Sequence, residues 1–193
     1  MASTDRAARA VLTHSVLAEL DRSPRAKDVI TKVGEARISK MRQLLSIAWI
    51  DLAEHLALVE TLHAVIGPEE YTRFWRRVMV QTLGTPLVAG LVRMSTTNGP
   101  TRLLSRGQLV HGALTRGTGT LGYEAGAEPE TERACVITLS GFPARDHSLK
   151  AYADGIAGSI LGACDRASVK ANVVMHVVSE AKGDVKYDVS WTA

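Results

Sequence analysis

Val185-Lys186-Tyr187-Asp188-Val189-Ser190-Trp191 alternates apolar with charged or polar residues without a break. A period of two belongs to a strand with one face buried and the other wet, as antiparallel sheets commonly have. Lys182-Gly183-Asp184 precedes it as a turn, and residues 168–180 before that turn are rich in valine, so the two segments read as a hairpin. Residues 147–164 read as a helix capped near Asp146 or Ser148. Residues 133–140, Arg-Ala-Cys-Val-Ile-Thr-Leu-Ser, read as a further strand, stopped by Gly141-Phe142-Pro143. The helix carries Gly155, Gly158 and Gly162. Each weakens it by up to about 1 kcal/mol relative to alanine. Close approach of its backbone to the sheet is the expected compensation.

The amino-terminal half has the helical period instead. Residues 7–20 supply Val11, Leu12, Val16, Leu17 and Leu20 as one short helix, and Ser23-Pro24 ends it. Residues 25–40 are mixed, with Gly34 a point of breakage. From Ile38 to Ile66 the pattern predicts one long helix carrying Trp49. Residues 44–66 are apolar nearly all round, with Ile47, Leu58 and Val65 on one stripe, as in a helix covered on several faces. Gly67-Pro68 closes it and Pro68 opens the next, which runs to about Met94 and is interrupted at Gly84 and Pro86. Asn98-Gly99-Pro100 predicts a turn. Leu103–Leu114 reads as either helix or strand, and residues 115–132 as a glycine-rich loop or a loop holding a short strand.

The fold class that follows is α+β, with a helical amino-terminal half packed on a small antiparallel sheet and a strand-helix-strand-strand carboxy-terminal layer. At 193 residues and 46% hydrophobic content, one domain over 1–193 is expected, helical over about 7–114 and αβ over about 115–193. Twenty-three lysines and arginines against 20 aspartates and glutamates give +3, too mild to argue for nucleic acid. Arg73, Arg76 and Arg77 form the densest basic group and read as a solvated helix face, with an acidic partner or a phosphate as the sharper option. Two cysteines far apart, Cys135 and Cys164, suit core positions and a reducing cytoplasm. No signal peptide is read at the start, and no apolar run approaches a membrane span.

The chemical motifs are weak. Gly117-Thr118-Gly119-Thr120-Leu121-Gly122 matches the dinucleotide pattern in letters, but Gly126 and Pro129 follow where a helix must open to face a pyrophosphate. Glu60 and His63 have the spacing of a carboxylate-histidine metal site. His55 and His63, however, lie about 12 Å apart along a helix, too far to share an ion, so no metal is expected. Asp51, Glu54 and His55 form a polar patch on an apolar helix, and a buried Glu54 would have a raised pKa and mark a site.

Trp49, Gly67-Pro68-Glu69-Glu70, Gly141-Phe142-Pro143 and Tyr187-Asp188-Val189-Ser190-Trp191, taken in this order, resemble a family of functionally uncharacterised proteins of similar length, abundant in myxobacteria. The layout is also similar to the haem nitric-oxide-binding, TRAPP-subunit and vinyl-reductase-like sensor group. Its members pack helices on an antiparallel sheet and often enclose an apolar cavity for a ligand or lipid. The Tyr-x-Ser-x-Arg signature of the haem members is absent here, and Cys135 has no cysteine neighbours to match the zinc site of phenol-sensing members. The resemblance therefore implies neither haem nor zinc, and no cofactor is expected.

The expected function is a non-catalytic, cytoplasmic, sensor-like regulatory module that binds an apolar small molecule or a protein partner. Its pocket is expected between the helix around Trp75 and the sheet carrying Tyr187 and Trp191, with Arg106, His111 and Tyr123 as polar groups. Homodimerisation through the long helices is expected from their surplus apolar surface. Two alternatives stay open: an acid–base enzyme using Glu54 with His55 or His111, and a structural subunit of a larger assembly.

Overall fold

The period-two stretch becomes the penultimate strand of a four-stranded antiparallel sheet. The computed structural model describes residues 5–92, 99–126, 134–143 and 147–192. In it β4 (Thr120–Ala125), β5 (Ala134–Ser140), β6 (Lys170–Ser179) and β7 (Asp184–Thr192) lie in the order β4-β5-β7-β6. Tyr187 stands opposite Ile137 on one side and Met175 on the other, and Val189 stands opposite Cys135 and Val173. These residues cover one face of the sheet together with Val185 and Trp191. Against them pack Leu149, Ala153, Ala157, Ile160 and Cys164 of helix α9 (His147–Arg166). The other face is wet: Asp188 pairs there with Lys186 at 2.9 Å and His176 at 3.1 Å.

The glycines of α9 face away from this sheet, which corrects the sequence expectation. They meet helix α5 (Pro68–Leu83). A Cβ on Gly158 would stand 2.4 Å from the Thr72 carbonyl oxygen, and one on Gly162 would stand 2.4 Å from that of Arg76. The Trp75 ring lies over Gly155, 3.2 Å from where its Cβ would be. Sheet packing needs side chains to fill the gap, whereas two helices can touch backbone to backbone only where side chains are missing. Helix α9 therefore turns its alanine and isoleucine face to the sheet and its bare face to α5. Arg76 clamps the contact, donating from Nε and Nη2 to the two carboxylate oxygens of Asp165, both at 2.5 Å.

The basic group of α5 is thus paired. Arg77 donates to the buried Glu19 at 2.5 Å and to Glu70 at 3.0 Å, and Arg73 meets Glu69 and Glu70. Glu19 belongs to α1 (Ala10–Leu20), so the pair ties α1 to α5. A mainly helical core forms around Leu17, Leu20, Leu58, Leu62, Phe74 and Val78.

The expected long helix over Ile38–Ile66 is two helices with a strand between them. Helices α2 (Ala26–Val33) and α3 (Glu35–Arg42) are divided at Gly34, whose φ of 99° favours glycine. Strand β2 (Trp49–Asp51) follows and pairs with β1 (Ala7–Arg9), which also pairs with β3 (Thr115–Arg116). Helix α4 (Leu52–Ile66) starts afresh because the Asp51 carboxylate accepts from the Ala53 amide at 2.8 Å. Trp49 is not helical. Its ring is held between the guanidinium groups of Arg9 at 3.8 Å and Arg116 at 3.9 Å. Leu45 and Ile47, which made the segment look apolar all round, lie exposed in the connection.

Elsewhere the breaks fall where proline and glycine put them. Gly84 ends α5 and Pro86 begins α6 (Pro86–Val92). The turn expected at Asn98-Gly99-Pro100 is corrected in part: Asn98 lies outside the described residues, while Gly99 and Pro100 open α7 (Gly99–Leu104). Proline suits a first turn, where its missing amide has no intrahelical partner. The ambiguous segment is helix again as α8 (Gly107–Leu114). The glycine motif forms the bend between β3 and β4 and enters β4, and strand rather than helix follows it directly, from Tyr123 to Ala125. Residues 127–133, which carry the end of the expected loop, lie outside the described residues. Among the described residues no helix is long and apolar enough to cross a membrane.

If the α5–α9 contact needs bare glycine, Gly158→Ala should cost about 2 kcal/mol in urea unfolding. Gly90→Ala in α6 meets nothing within 4 Å. It should stabilise by about 0.5–1 kcal/mol. Equal effects at the two positions would contradict the backbone contact.

Candidate functional site

Where α5 and α9 diverge from their glycine contact they border a partly open cavity of about 110 Å³. Tyr71, Trp75 and Met79 of α5 form one wall, and Gly155, Ile156 and Ser159 of α9 form another. His55 and Val59 of α4, Val110, His111 and Leu114 of α8, and Leu121 and Tyr123 of β4 complete it. A 15-residue α4 and a 16-residue α5 joined at Gly67 present these inward faces side by side. The lining is mostly aliphatic and aromatic, with a few polar groups, as is usual of small-molecule sites.

The polar groups on the α8 side satisfy one another. His111 Nε2 shares a hydrogen bond with the Tyr152 hydroxyl at 2.8 Å and lies 3.3 Å from Thr118 Oγ1. Thr118 donates to Thr115 Oγ1 at 2.8 Å, and Thr115 donates to the His111 carbonyl at 2.9 Å. Tyr152 stacks on Phe142 with ring centroids 4.3 Å apart. Burial lowers His111 to about 4 and raises Tyr152 to about 12.

The α4–α5 side is different. His55 Nδ1 meets Thr13 Oγ1 at 2.9 Å, and burial lowers this imidazole to about 4 as well. Tyr71 Oη and Trp75 Nε1 are buried and have no hydrogen-bond partner. Burial pushes the Tyr71 phenol well above its ordinary value, and the indole N–H opposes this only in part. Behind them runs a series of edge-to-face rings: Trp75 on His55 at 6.4 Å, Tyr71 on Trp75 at 6.2 Å, and His63 on Tyr71 at 4.8 Å. The series ends where His63 Nε2 meets Asp154 Oδ2 of α9 at 2.7 Å.

Of the residues singled out in the sequence, Trp75, His111 and Tyr123 line this cavity. Arg106 does not; it sits at the start of α8 and donates to the Leu91 carbonyl at 3.3 Å. Tyr187 and Trp191 lie on the opposite side of α9, buried in the sheet core, and Tyr187 donates to the Ala153 carbonyl at 3.2 Å. The cavity lies between α5 and the β4–β5 side of the sheet, while α9 stands between α5 and the strand that carries Tyr187 and Trp191.

The buried Glu54 expected for acid–base chemistry is half exposed and pairs with Arg37 at 2.9 Å, away from the cavity that His55 lines. Glu60 accepts from Ser148 and His63 pairs with Asp154, so their spacing serves the α4–α9 contact. Among the described residues no three histidine, cysteine or acidic side chains are placed to hold a metal. Cys135 and Cys164 are both buried, and burial pushes the Cys164 thiol up to about 11. Tyr71 was hidden in the sequence as one more apolar residue of α5. Its only signal there was the i, i+4 spacing to Trp75 on a face without charges.

The fold as a whole has counterparts among solved structures. An Fe(II) unliganded H-NOX protein from K. algicida superposes with a TM-score of 0.64 at 10% identity, over 96% of this chain and 97% of that one. An H-NOX protein from S. oneidensis in the Fe(II)NO ligation state gives 0.63 at 12% identity, over 96% and 99%. The chain has the H-NOX fold. An oxygen-binding H-NOX domain related to soluble guanylate cyclases, solved as its oxygen complex, gives 0.53 at 17% identity over 95% and 94%. No family model matches the sequence, and no curated protein matches it.

The two buried histidines set a pH dependence. Each has an ordinary value of 6.5 and a folded value of about 4, so the unfolded chain binds more protons between those limits. Their stabilising effect is complete above pH 6.5 and is lost as pH falls towards 4, by roughly 3 kcal/mol for each histidine. Urea unfolding measured at intervals from pH 7 to pH 4 should show this fall, and His55→Gln should flatten it. An unchanged slope in that variant would mean that His55 is not held neutral.

Proposed function

We propose that this chain is a haem-free, non-catalytic sensing module that binds a compact apolar molecule in the cavity between α5, α8, α9 and β4. The carrying observation is a partly open cavity lined mostly by aliphatic and aromatic side chains. Its volume of about 110 Å³ is near that of the cavity of about 150 Å³ which, in a well-studied engineered case, stays dry and takes up benzene. The H-NOX domains it resembles in fold include Fe(II), NO-ligated and oxygen-complexed proteins, and a sensing role follows by analogy of fold alone. Only two cysteines, both buried and far apart in the sequence, suit a reducing compartment such as the cytoplasm.

Haem does not fit this interior. Drug-sized ligands occupy clefts of about 300 Å³ or more, and the space here is about 110 Å³. His111, the histidine that α8 presents to the cavity, has Nε2 engaged by Tyr152 and Thr118. Among the described residues, no lysine or arginine lines the cavity to meet the carboxylates of a macrocycle.

Toluene serves as a size probe. At ten times its Kd it should add about 1.4 kcal/mol of stability, raising the unfolding temperature by roughly 3–5 °C in a chain of this size. Ile156→Trp, which fills part of the cavity, should abolish that rise. Added hemin should give no stoichiometric Soret band. A 1:1 Soret complex, or no thermal response to toluene, would contradict the proposal.

A further inference from the structure

We infer that the outer edge of β6 is a self-pairing surface: two copies of this chain join antiparallel along residues 170–177 about a two-fold axis at Val174, doubling the four-stranded sheet into one continuous sheet. The pairing does not involve the cavity and stands whether or not a ligand enters it.

The order β4-β5-β7-β6 leaves two outer strands, and they differ. Strand β4 has six residues, carries Glu124 and packs on α8. Strand β6 has ten residues and packs on β7 and α9, with no more than slight contact to any other described element. An edge strand presents a row of backbone amides and carbonyls to any chain that can pair with it, and proteins blunt such edges with proline, inward charges, bulges or a cover. Strand β6 has no proline, and no charge on the row that faces α9. Lys170 stands at one end and a bulge between Val177 and Ser179 at the other, and the ladder between them is regular.

The side chains choose the occupant and the register. The row facing α9 is Ala171, Val173, Met175 and Val177, beside Trp191, Val189, Tyr187 and Val185 of β7. The first three are only partly buried, and Val177 is 46% exposed. With the axis at Val174, Val173 falls opposite Met175 of the second copy and Ala171 opposite its Val177, so every side chain of this row gains an apolar neighbour. On the wet row Val174, also 46% exposed, meets itself, and Asn172 meets His176, which Asp188 already holds at 3.1 Å. No like charges face each other along the ladder. An axis at Val173 would set Lys170 opposite His176, and one at Met175 would carry the pairing past the bulge. A single strand pair is a small contact, so the dimer is reversible and depends on concentration.

Sedimentation velocity on the full chain should show a monomer–dimer equilibrium. Val174→Lys sets two ammonium groups face to face at the axis and leaves the core alone, because Val174 lies on the wet row. It should weaken dimerisation by at least about tenfold with unchanged urea unfolding of the monomer. Val174→Cys, oxidised with diamide, should give a disulfide-linked dimer, since directly opposite residues of an antiparallel pair have Cα atoms about 4.5–5.5 Å apart. Lys170→Cys should give none, since position 170 of the second copy would lie about 26 Å away along the strand. A monomer at every concentration up to about 1 mM would overturn the pairing. So would a dimer that Val174→Lys leaves intact, which would belong to another face such as the long helices, and so would equal cross-linking through positions 170 and 174.

Discussion

The backbone contact between α5 and α9 is the constraint on which the rest of the structure depends. Three glycines spaced at i, i+3 and i+7 bare one side of α9, and the carbonyls of Thr72 and Arg76 occupy the room that side chains would take. A helix with this much glycine is intrinsically weak. It is held because its other face is rich in alanine, leucine and isoleucine and covers the sheet, and because Asp165 receives both nitrogens of the Arg76 fork. The contact fixes where Trp75 lies. With Trp75 over Gly155, the space beside it stays open and becomes the cavity.

The buried polar groups follow from that geometry. On one side a histidine, a tyrosine and two threonines close a network of their own. On the other, rings meet edge to face from the His63–Asp154 pair inward to His55. Both cavity histidines are neutral at pH 7 because nothing nearby offsets the loss of water. The same fold in H-NOX proteins is seen with Fe(II). Here the two cavity histidines are committed to hydroxyl partners, and a shared fold need not mean a shared ligand.

Much of the architecture was legible because local signals agreed with tertiary packing. The hairpin of β6 and β7 shows in the alternation from Val185 to Trp191, and α9 shows in its helical span with a stop at each end. The strand Trp49–Asp51 was not legible. Leu45 and Ile47 are apolar yet exposed, and they extended the helical pattern of α4 backward through a segment that pairs with β1. The site was legible only in part. Trp75, His111 and Tyr123 were found as aromatic or polar residues in suitable elements. Tyr187 and Trp191 lie in the sheet core under α9, a placement hidden in the sequence because periodicity tells which residues are buried, not which layer covers them. The decisive fact, that the glycines of α9 face α5 and not the sheet, depends on the relative rotation of two helices far apart in sequence.

Diffraction from a crystal of the chain pressurised with xenon tests the account most directly, since xenon enters dry apolar cavities and is seen by its electrons. A single strong xenon peak bounded by Trp75, Gly155 and Val110 is predicted. No peak there, or electron density showing that side chains fill the space, would contradict it.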